Sequence, residues 1–273
     1  MLKLTSTNLA FLMKLKKREF SFKEIKSQER FNRIISDIYN IVSQTFIGFN
    51  EMDIIGIVRH PLNKDVRALL VECNEQVVGF VIVQRISLNL GSKTVSIFKS
   101  MAAVYPEYRR KVKLSNYAIE VVLKHKICFP FREIYCFGLF IHPSVYYTFQ
   151  RVCYEFYPHY KKETPEPYKQ LVDHIAKKVG YVVLDADKLI GKTSSFIKSI
   201  ESPEVRDYWY RHPSPHVEDF IERTGYRDGI GVFVLVPFTW KNIIMTILTE
   251  IRSNLVVKRR SASKKINTVT INK

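Results

Sequence analysis

Three β-branched runs follow one another with almost nothing between them, and that spacing constrains the fold more than any other feature of the chain. Arg67–Cys73 leads through Asn74-Glu75-Gln76 into Val77–Ser87, which leads through Asn89-Leu90-Gly91-Ser92 into Lys93–Val104. Links this short can only turn the chain back on itself, so the three runs are expected to form an antiparallel meander. A parallel partner needs a crossover of a dozen or more residues, usually a helix. That crossover comes next. Ser115–Lys126 has helical spacing, with Ser115 as its cap and Pro130 beyond its end, and Glu133–Ile141 is a further strand rich in aromatic and β-branched residues. Strand, helix and strand imply a parallel pair beside the meander.

The flanking segments read as helices. Phe31, Ile34, Ile35, Ile38, Ile41, Val42 and Phe46 recur at helical spacing between Ser27, a suitable N-cap, and Gly48, a suitable stop. Ser144–Phe156 is expected to bury Tyr146, Phe149, Val152, Cys153 and Phe156. Thr164-Pro165 opens a helix with Leu171, Val172, Ile175, Ala176 and Val179 on one face and Gly180 at its end. Val182–Leu184 and Val232–Val236 are strand-like, Asn242–Leu255 is helical, and the polar, proline-punctuated stretch 191–230 receives no assignment. The expectation is an α/β fold: a mixed sheet of antiparallel meander plus parallel pair, flanked by helices. It divides into a basic N-terminal segment 1–27, a core 28–160, a C-terminal α/β extension 161–255 packed on the core, and a basic, mobile tail 256–273.

A hydrophobic content of 46% with 13% aromatics belongs to a chain that folds. The formal charge of +17 is uneven. Residues 1–27 carry Lys3, Lys14, Lys16, Lys17, Arg18, Lys23 and Lys26 against Glu19 and Glu24; the stretch from Val256 carries Lys258, Arg259, Arg260, Lys264, Lys265 and Lys273 with no acid. This balance suits nucleic acid, acidic lipid or a phosphorylated cofactor, and equally a solvated basic surface. Any polyanion binding is expected to be non-specific. Cys73, Cys128, Cys136 and Cys153 form no Cys-x-x-Cys pair, which fits reduced thiols in a cytoplasmic compartment. Leu9–Met13 is too short for a signal-peptide core, and Gly231–Leu248 is interrupted by Pro237, Lys241 and Asn242, so neither a Sec signal nor a membrane span is expected. Signal-independent secretion stays open.

The segment Met101–Asn116 is the richest in chemistry. An apolar strand runs into Pro106, then a loop with Arg109, Arg110, Lys111 and Lys113, then a helix beginning at Ser115. Free N–H groups at a helix start, beside guanidinium groups, make an anion site. The same residues also describe a basic, solvent-exposed loop.

Val104-x-Pro106-x-x-Arg109 at a strand end resembles the fourth-strand exit of the GNAT acetyltransferase superfamily, and Val77-Val78-Gly79-Phe80 looks like its third strand. The order of helix, meander, helix, strand and helix is similar too, over roughly residues 28–160. The resemblance implies an N-acyltransferase that takes acetyl-coenzyme A or another acyl-coenzyme A as co-substrate, passes the acyl group to an unidentified amine, and uses no metal. It implies that the loop after the fourth strand holds the pyrophosphate and that the fourth and fifth strands splay to admit the pantetheine arm. The cofactor residues carried over are Ala102, Ala103, Val104, Arg109, Arg110, Lys111 and Ser115, with N–H groups around Ala102–Val104 facing the tetrahedral oxyanion.

The chain departs from the family at two places. The pyrophosphate loop of the family reads Arg/Gln-x-x-Gly-x-Gly/Ala, and the register set by Arg109 puts Val112 and Leu114 at the small positions. Either Arg109, Arg110 and Lys111 compensate through side chains, or the loop does not bind the cofactor in the usual way. The tyrosine that serves as general acid in the family sits in Asn-x-x-Ala-x-x-x-Tyr, whereas here His142 stands near the asparagine and Phe149 near the tyrosine position. Tyr146, Tyr147 and Tyr154 are the candidate proton donors, with buried packing as the alternative for each. Glu107 and Glu133 are candidate bases. The alternative function is a non-catalytic GNAT-like module that binds a protein, an acyl carrier or nucleic acid. Leu189-Ile190-Gly191-Lys192-Thr193 imitates the end of a P-loop, but Ala186 replaces its first glycine. His212 and His216 flank a proline-rich turn and read as a surface loop rather than a metal site.

Overall fold

In the computed structural model, which describes residues 15–109, 111, 112 and 114–249, one eight-stranded mixed sheet organises the chain. The strands are β1 (Leu15–Ser21), β2 (Phe46–Ile47), β3 (Asn63–Cys73), β4 (Gln76–Leu90), β5 (Lys93–Val104), β6 (Ile134–Phe140), β7 (Val182–Asp185), β8 (Ile190–Lys192), β9 (Lys198–Ser199) and β10 (Ile230–Pro237). The large sheet has the order β1-β3-β4-β5-β6-β10-β8-β7, and β2 pairs with β9 separately. The helices are α1 (Gln28–Ser43), α2 (Glu51–Val58), α3 (Ser115–Cys128), α4 (Pro143–Val152), α5 (Glu166–Lys178), α6 (Pro203–Tyr210), α7 (Pro215–Thr224) and α8, over residues 240–249.

The expected meander is present: β3, β4 and β5 pair antiparallel in sequence order, and β5 pairs parallel with β6 across α3. This is the fold the GNAT resemblance implies. Several features go beyond the sequence reading, the short helix α2 among them. Within the basic N-terminal segment, Leu15–Ser21 is the edge strand paired to β3. β10 lies against β6, so the sheet runs on without a break into the C-terminal extension. The unassigned stretch 191–230 contains β9, α6 and α7, each helix opened by a proline after a serine N-cap.

Side-chain alternation divides the sheet into two faces. Ile97 of β5, Phe137 of β6, and Phe233 and Leu235 of β10 pack with Leu171, Val172 and Ile175 of α5. Gln84, on the same face, donates from Nε2 to the Ile57 carbonyl of α2 at 2.7 Å. The opposite face carries α3, α4 and α7, with Tyr146, Phe156 and Phe220 against Val232 and Val234. Burial of this many aromatic and β-branched side chains, about 1.5–3 kcal/mol each, is what holds the layers together.

Candidate active site

The parallel ladder between β5 and β6 is short. Its rungs are Ser96–Ile134, Ile97–Tyr135 and Phe98–Cys136, after which β5 continues to Val104 and β6 to Phe140 without pairing. A gap therefore opens in the middle of the sheet. Ser100 and Ala102 are exposed although β5 is a central strand, and Gly138 faces them from β6 on the side of α3 and α4. Small side chains at these three positions leave the cleft unfilled.

The ladder also fixes which backbone groups point into it. Ser96 N–H bonds the Glu133 carbonyl on the β6 side, while Tyr105 N–H bonds the Val78 carbonyl on the β4 side. Strand alternation then turns the amides of Ser100, Ala102 and Val104 toward the gap and that of Ala103 toward β4. Of the three strand residues expected to hold the cofactor, Ala102 and Val104 turn their amides into the gap. Ala103 is corrected: its amide belongs to the ladder opposite Phe80, and its side chain is buried.

The loop beyond β5 differs from a phosphate cradle. Pro106–Tyr108 form a 3₁₀ turn, and the N–H groups of Tyr108, Arg109, Lys111 and Val112 all donate to carbonyls of Tyr105, Pro106 and Tyr108. Val112 and Leu114, which occupy the expected glycine positions, are buried in the core with Tyr117 and Val122. Those amides are spent within the chain. Arg109 is exposed and lies close enough to His142 to depress its protonation. Lys111 places its ammonium 5.6 Å from the Tyr108 ring centre. Ser115 is the first residue of α3 rather than its cap; the cap position is Leu114, which has helical dihedrals and an apolar side chain that cannot accept a capping bond. Arg110 lies outside the described residues.

Across the gap, at the exit of β6, sits a buried polar cluster that the sequence reading passed over. His142 caps α4 by accepting the Ser144 N–H on Nδ1 at 3.2 Å. Nε2 then carries the proton and donates to Glu201 Oε2 at 3.1 Å. The Tyr226 hydroxyl donates to the same oxygen at 2.7 Å, and Arg206 donates to Oε1 at 3.0 Å. Burial holds His142 below the ordinary imidazole value, and Arg109 and Arg206 push the same way against Glu201. The imidazole is therefore neutral at pH 7 with both nitrogens engaged. The only sequence signal was the asparagine-like placement of His142 before Pro143.

The tyrosines of the α4 region separate clearly. Tyr146 is fully buried and its hydroxyl donates to Asp219, so it is a packing and hydrogen-bonding group of the α4–α7 interface, not a donor to the gap. Burial and the Asp219 charge raise its pKa strongly. Tyr154 lies past the far end of α4, about 15 Å along the chain axis from the β6 exit; its N–H bonds Thr246 of α8. Tyr147, one turn into α4, packs on Trp209, whose ring meets that of His142 edge-on at 5.9 Å. Its ring also meets His212 at 5.1 Å and its hydroxyl accepts from Arg151 at 3.0 Å. Glu133 is at the paired, closed end of β5 and β6 and is bound to Lys93 at 2.9 Å, which removes it as a base; Glu107 is exposed on the 3₁₀ turn.

Two motifs have structural explanations. Gly191 lies within β8, and a Cβ there would meet the Phe233 ring at 2.2 Å, so this glycine serves packing rather than phosphate. His212 stacks on Trp209 at 5.2 Å, and His216 Nδ1 pairs with Gln150 at 2.7 Å.

No protein-family model matches the chain, and no curated protein matches it. Among solved structures, it is similar to the aminoglycoside N-acetyltransferase AAC(6')-Iy in complex with CoA, at 10% identity over 62% of this chain and 88% of that one, TM-score 0.30. It is also similar to Arabidopsis thaliana NAA60 in complex with acetyl-CoA, at 14% identity over 52% and 87%, TM-score 0.32. The NatC complex bound to Gag peptide and CoA matches at 11% identity over 83% and 100%, TM-score 0.34. Likenesses this distant decide neither activity nor substrate.

Proposed function

We propose that this chain is an acyl-coenzyme A-dependent N-acyltransferase whose β5–β6 gap receives the thioester arm. One observation carries the reading: a parallel ladder that stops at Phe98–Cys136 inside a sheet, with Ser100 and Ala102 exposed beyond it. Unpaired backbone groups along such a gap are half of a ladder, and an extended chain bearing amides, such as pantetheine, can complete it. The amine, entering as its free base, attacks the thioester carbonyl, and the N–H groups of Ala102 and Val104 face the developing oxyanion. The C–S bond breaks with the electron pair leaving on the thiolate, and the proton lost from nitrogen passes to solvent water. Tyr147, which is neither buried like Tyr146 nor past the far end of α4 like Tyr154, is the candidate proton donor to that thiolate. Arg109, Arg110 and Lys111 hold the phosphates through charge-assisted side-chain contacts in place of the spent loop amides.

The non-catalytic alternative also has an observation in its favour, namely those spent amides and the burial of Val112 and Leu114. Calorimetric titration with acetyl-coenzyme A separates the readings. The wild-type protein is expected to bind, and Arg109→Ala with Arg110→Ala to weaken binding at least about tenfold, which is about 1.4 kcal/mol. Lys258→Ala with Arg259→Ala removes equal charge elsewhere and is expected to change little. Absence of wild-type binding at concentrations that saturate GNAT enzymes overturns the proposal. Binding without acyl transfer to any of a panel of amines favours the module.

A further inference from the structure

Phe131 is 98% exposed in the turn between α3 and β6, an aromatic ring standing almost wholly in solvent. The same turn exposes Phe129 and, at the end of α3, Ile127 at 61%. On α8 the outward face consists of Trp240, Ile244, Ile247 and Leu248, with Ile244 54% exposed. The two elements adjoin. Lys126 donates from Nζ to the Arg132 carbonyl at 3.1 Å and lies 5.9 Å from the Trp240 ring centre, so one ammonium touches both. Scattered exposed apolar residues are ordinary, but a contiguous set at one end of a molecule marks a surface that meets something.

The charges bordering this set say what. Lys126 is buried between the two elements, whereas Arg132 and Lys241 have no carboxylate partner among the described residues, and Glu120 and Glu133 are already bound to Lys124 and Lys93 while Glu155 accepts from Tyr157. The sequence after residue 249 adds Arg252, Lys258, Arg259, Arg260, Lys264, Lys265 and Lys273 against Glu250. A second copy of the chain docked here by a two-fold axis would bring these cations against one another. An anionic bilayer has the opposite complementarity: headgroup phosphates for the lysines and arginines, and an interfacial layer that accepts aromatic and aliphatic tips. Phe131 protrudes from a turn, the shape of an inserting wedge rather than of a packed protein interface.

We propose that this end of the molecule, the α3–β6 turn together with the outer face of α8, docks peripherally on anionic lipid bilayers. Phe131, Ile127 and Trp240 enter the interface while Arg132 and Lys241 meet the headgroups. The test is co-sedimentation of the full chain with phosphatidylcholine vesicles and with vesicles in which about one lipid in three is phosphatidylserine. Partition is expected to be at least about tenfold stronger with phosphatidylserine and to fall at least about tenfold in Phe131→Glu. Tyr210→Glu, at an exposed aromatic site on α6, is expected to partition like wild type. Vesicle binding is also expected to blue-shift tryptophan emission in Trp209→Phe and not in Trp240→Phe, since the chain has 2 tryptophans. Failure to sediment with either vesicle overturns the proposal and leaves the surface to a protein partner. Phosphatidylserine-dependent sedimentation that ignores Phe131→Glu and leaves Trp240 emission unmoved also overturns it, because basic sequence alone then accounts for the binding.

Discussion

Nε2 of His142 lies 3.1 Å from Oε2 of Glu201, a contact that ties the exit of β6 to a residue 59 positions further along the chain. Ile200, the residue before Glu201, donates its N–H to the Thr45 carbonyl, so the same segment also reaches the connection between α1 and α2. The side chains of His142 and Glu201 are 15% and 10% exposed, and a pair this buried is costly to break from one side. Glu201→Ala strands the Tyr226 hydroxyl and the imidazole N–H together. Urea unfolding is expected to show a loss of about 3 kcal/mol. His142→Asn keeps a good helix cap while losing the Glu201 contact, and is expected to cost less. Equal stability of Glu201→Ala and wild type would mean that the cluster holds nothing together.

Ala102 and Ala103 are neighbours with opposite duties, and proline tells them apart. A proline removes one N–H. At Ala103 that N–H belongs to the β4–β5 ladder, so Ala103→Pro is expected to destabilise the sheet by about 3 kcal/mol or more. At Ala102 it points into the gap, so Ala102→Pro is expected to be the milder change in thermal unfolding and the more damaging one for coenzyme A binding. The reverse ranking would contradict the orientation of β5.

Restoring small residues to the loop is expected to fail as a repair. Leu114 is 8% exposed and packs in the core, so Leu114→Ala removes buried methyl groups without freeing any amide. Chemical denaturation is expected to show a loss of about 2–4 kcal/mol, with no gain in coenzyme A affinity by calorimetry. A tighter complex with Leu114→Ala would show that the loop opens when its apolar anchor is removed.

Acidification is expected to weaken the fold before carboxylates titrate. Burial, then the charges of Arg85 and Arg132, hold His125 at about 4, against an ordinary value of 6.5. Its Nε2 is paired with Ser96 Oγ at 3.1 Å. As pH falls below the ordinary value the unfolded chain takes up a proton that the folded chain refuses, so the stability present at neutral pH is lost progressively down to about 4. His60, His142, His159 and His216 are also lowered, burial first, and act with the same sign. Urea midpoints measured from pH 7 to pH 5 are expected to fall, and less so in His125→Gln, which keeps a partner for Ser96 without titrating. A midpoint that rises on acidification would exclude a neutral, buried His125.

Turn-length links and β-branched runs determined the meander from sequence alone, because a link of a few residues leaves two strands no choice but to pair antiparallel. Helical spacing of apolar residues likewise determined α1 and α5, each of which buries one continuous stripe, while α3 forms as expected but leaves Ile119 exposed. The edge strand β1 was hidden by Lys16, Lys17 and Arg18, since an edge strand with a charged outer face has no apolar signature. Tertiary structure alone decided the surroundings of Tyr146, Tyr147 and Tyr154: they lie within nine positions of one another, and only the helix direction and the packing of α6, α7 and α8 separate a buried phenol on Asp219, a ring on Trp209 and one past the far end of α4. It alone decided that Val112 and Leu114 face inward. The same holds for the His142–Glu201–Tyr226 cluster, whose members come from three separate stretches of the chain and meet because β10 lies against β6. Sequence patterns encode which face of an element is apolar. Which elements meet, and which of their polar groups are left buried together, is set by the long-range pairing of the whole sheet.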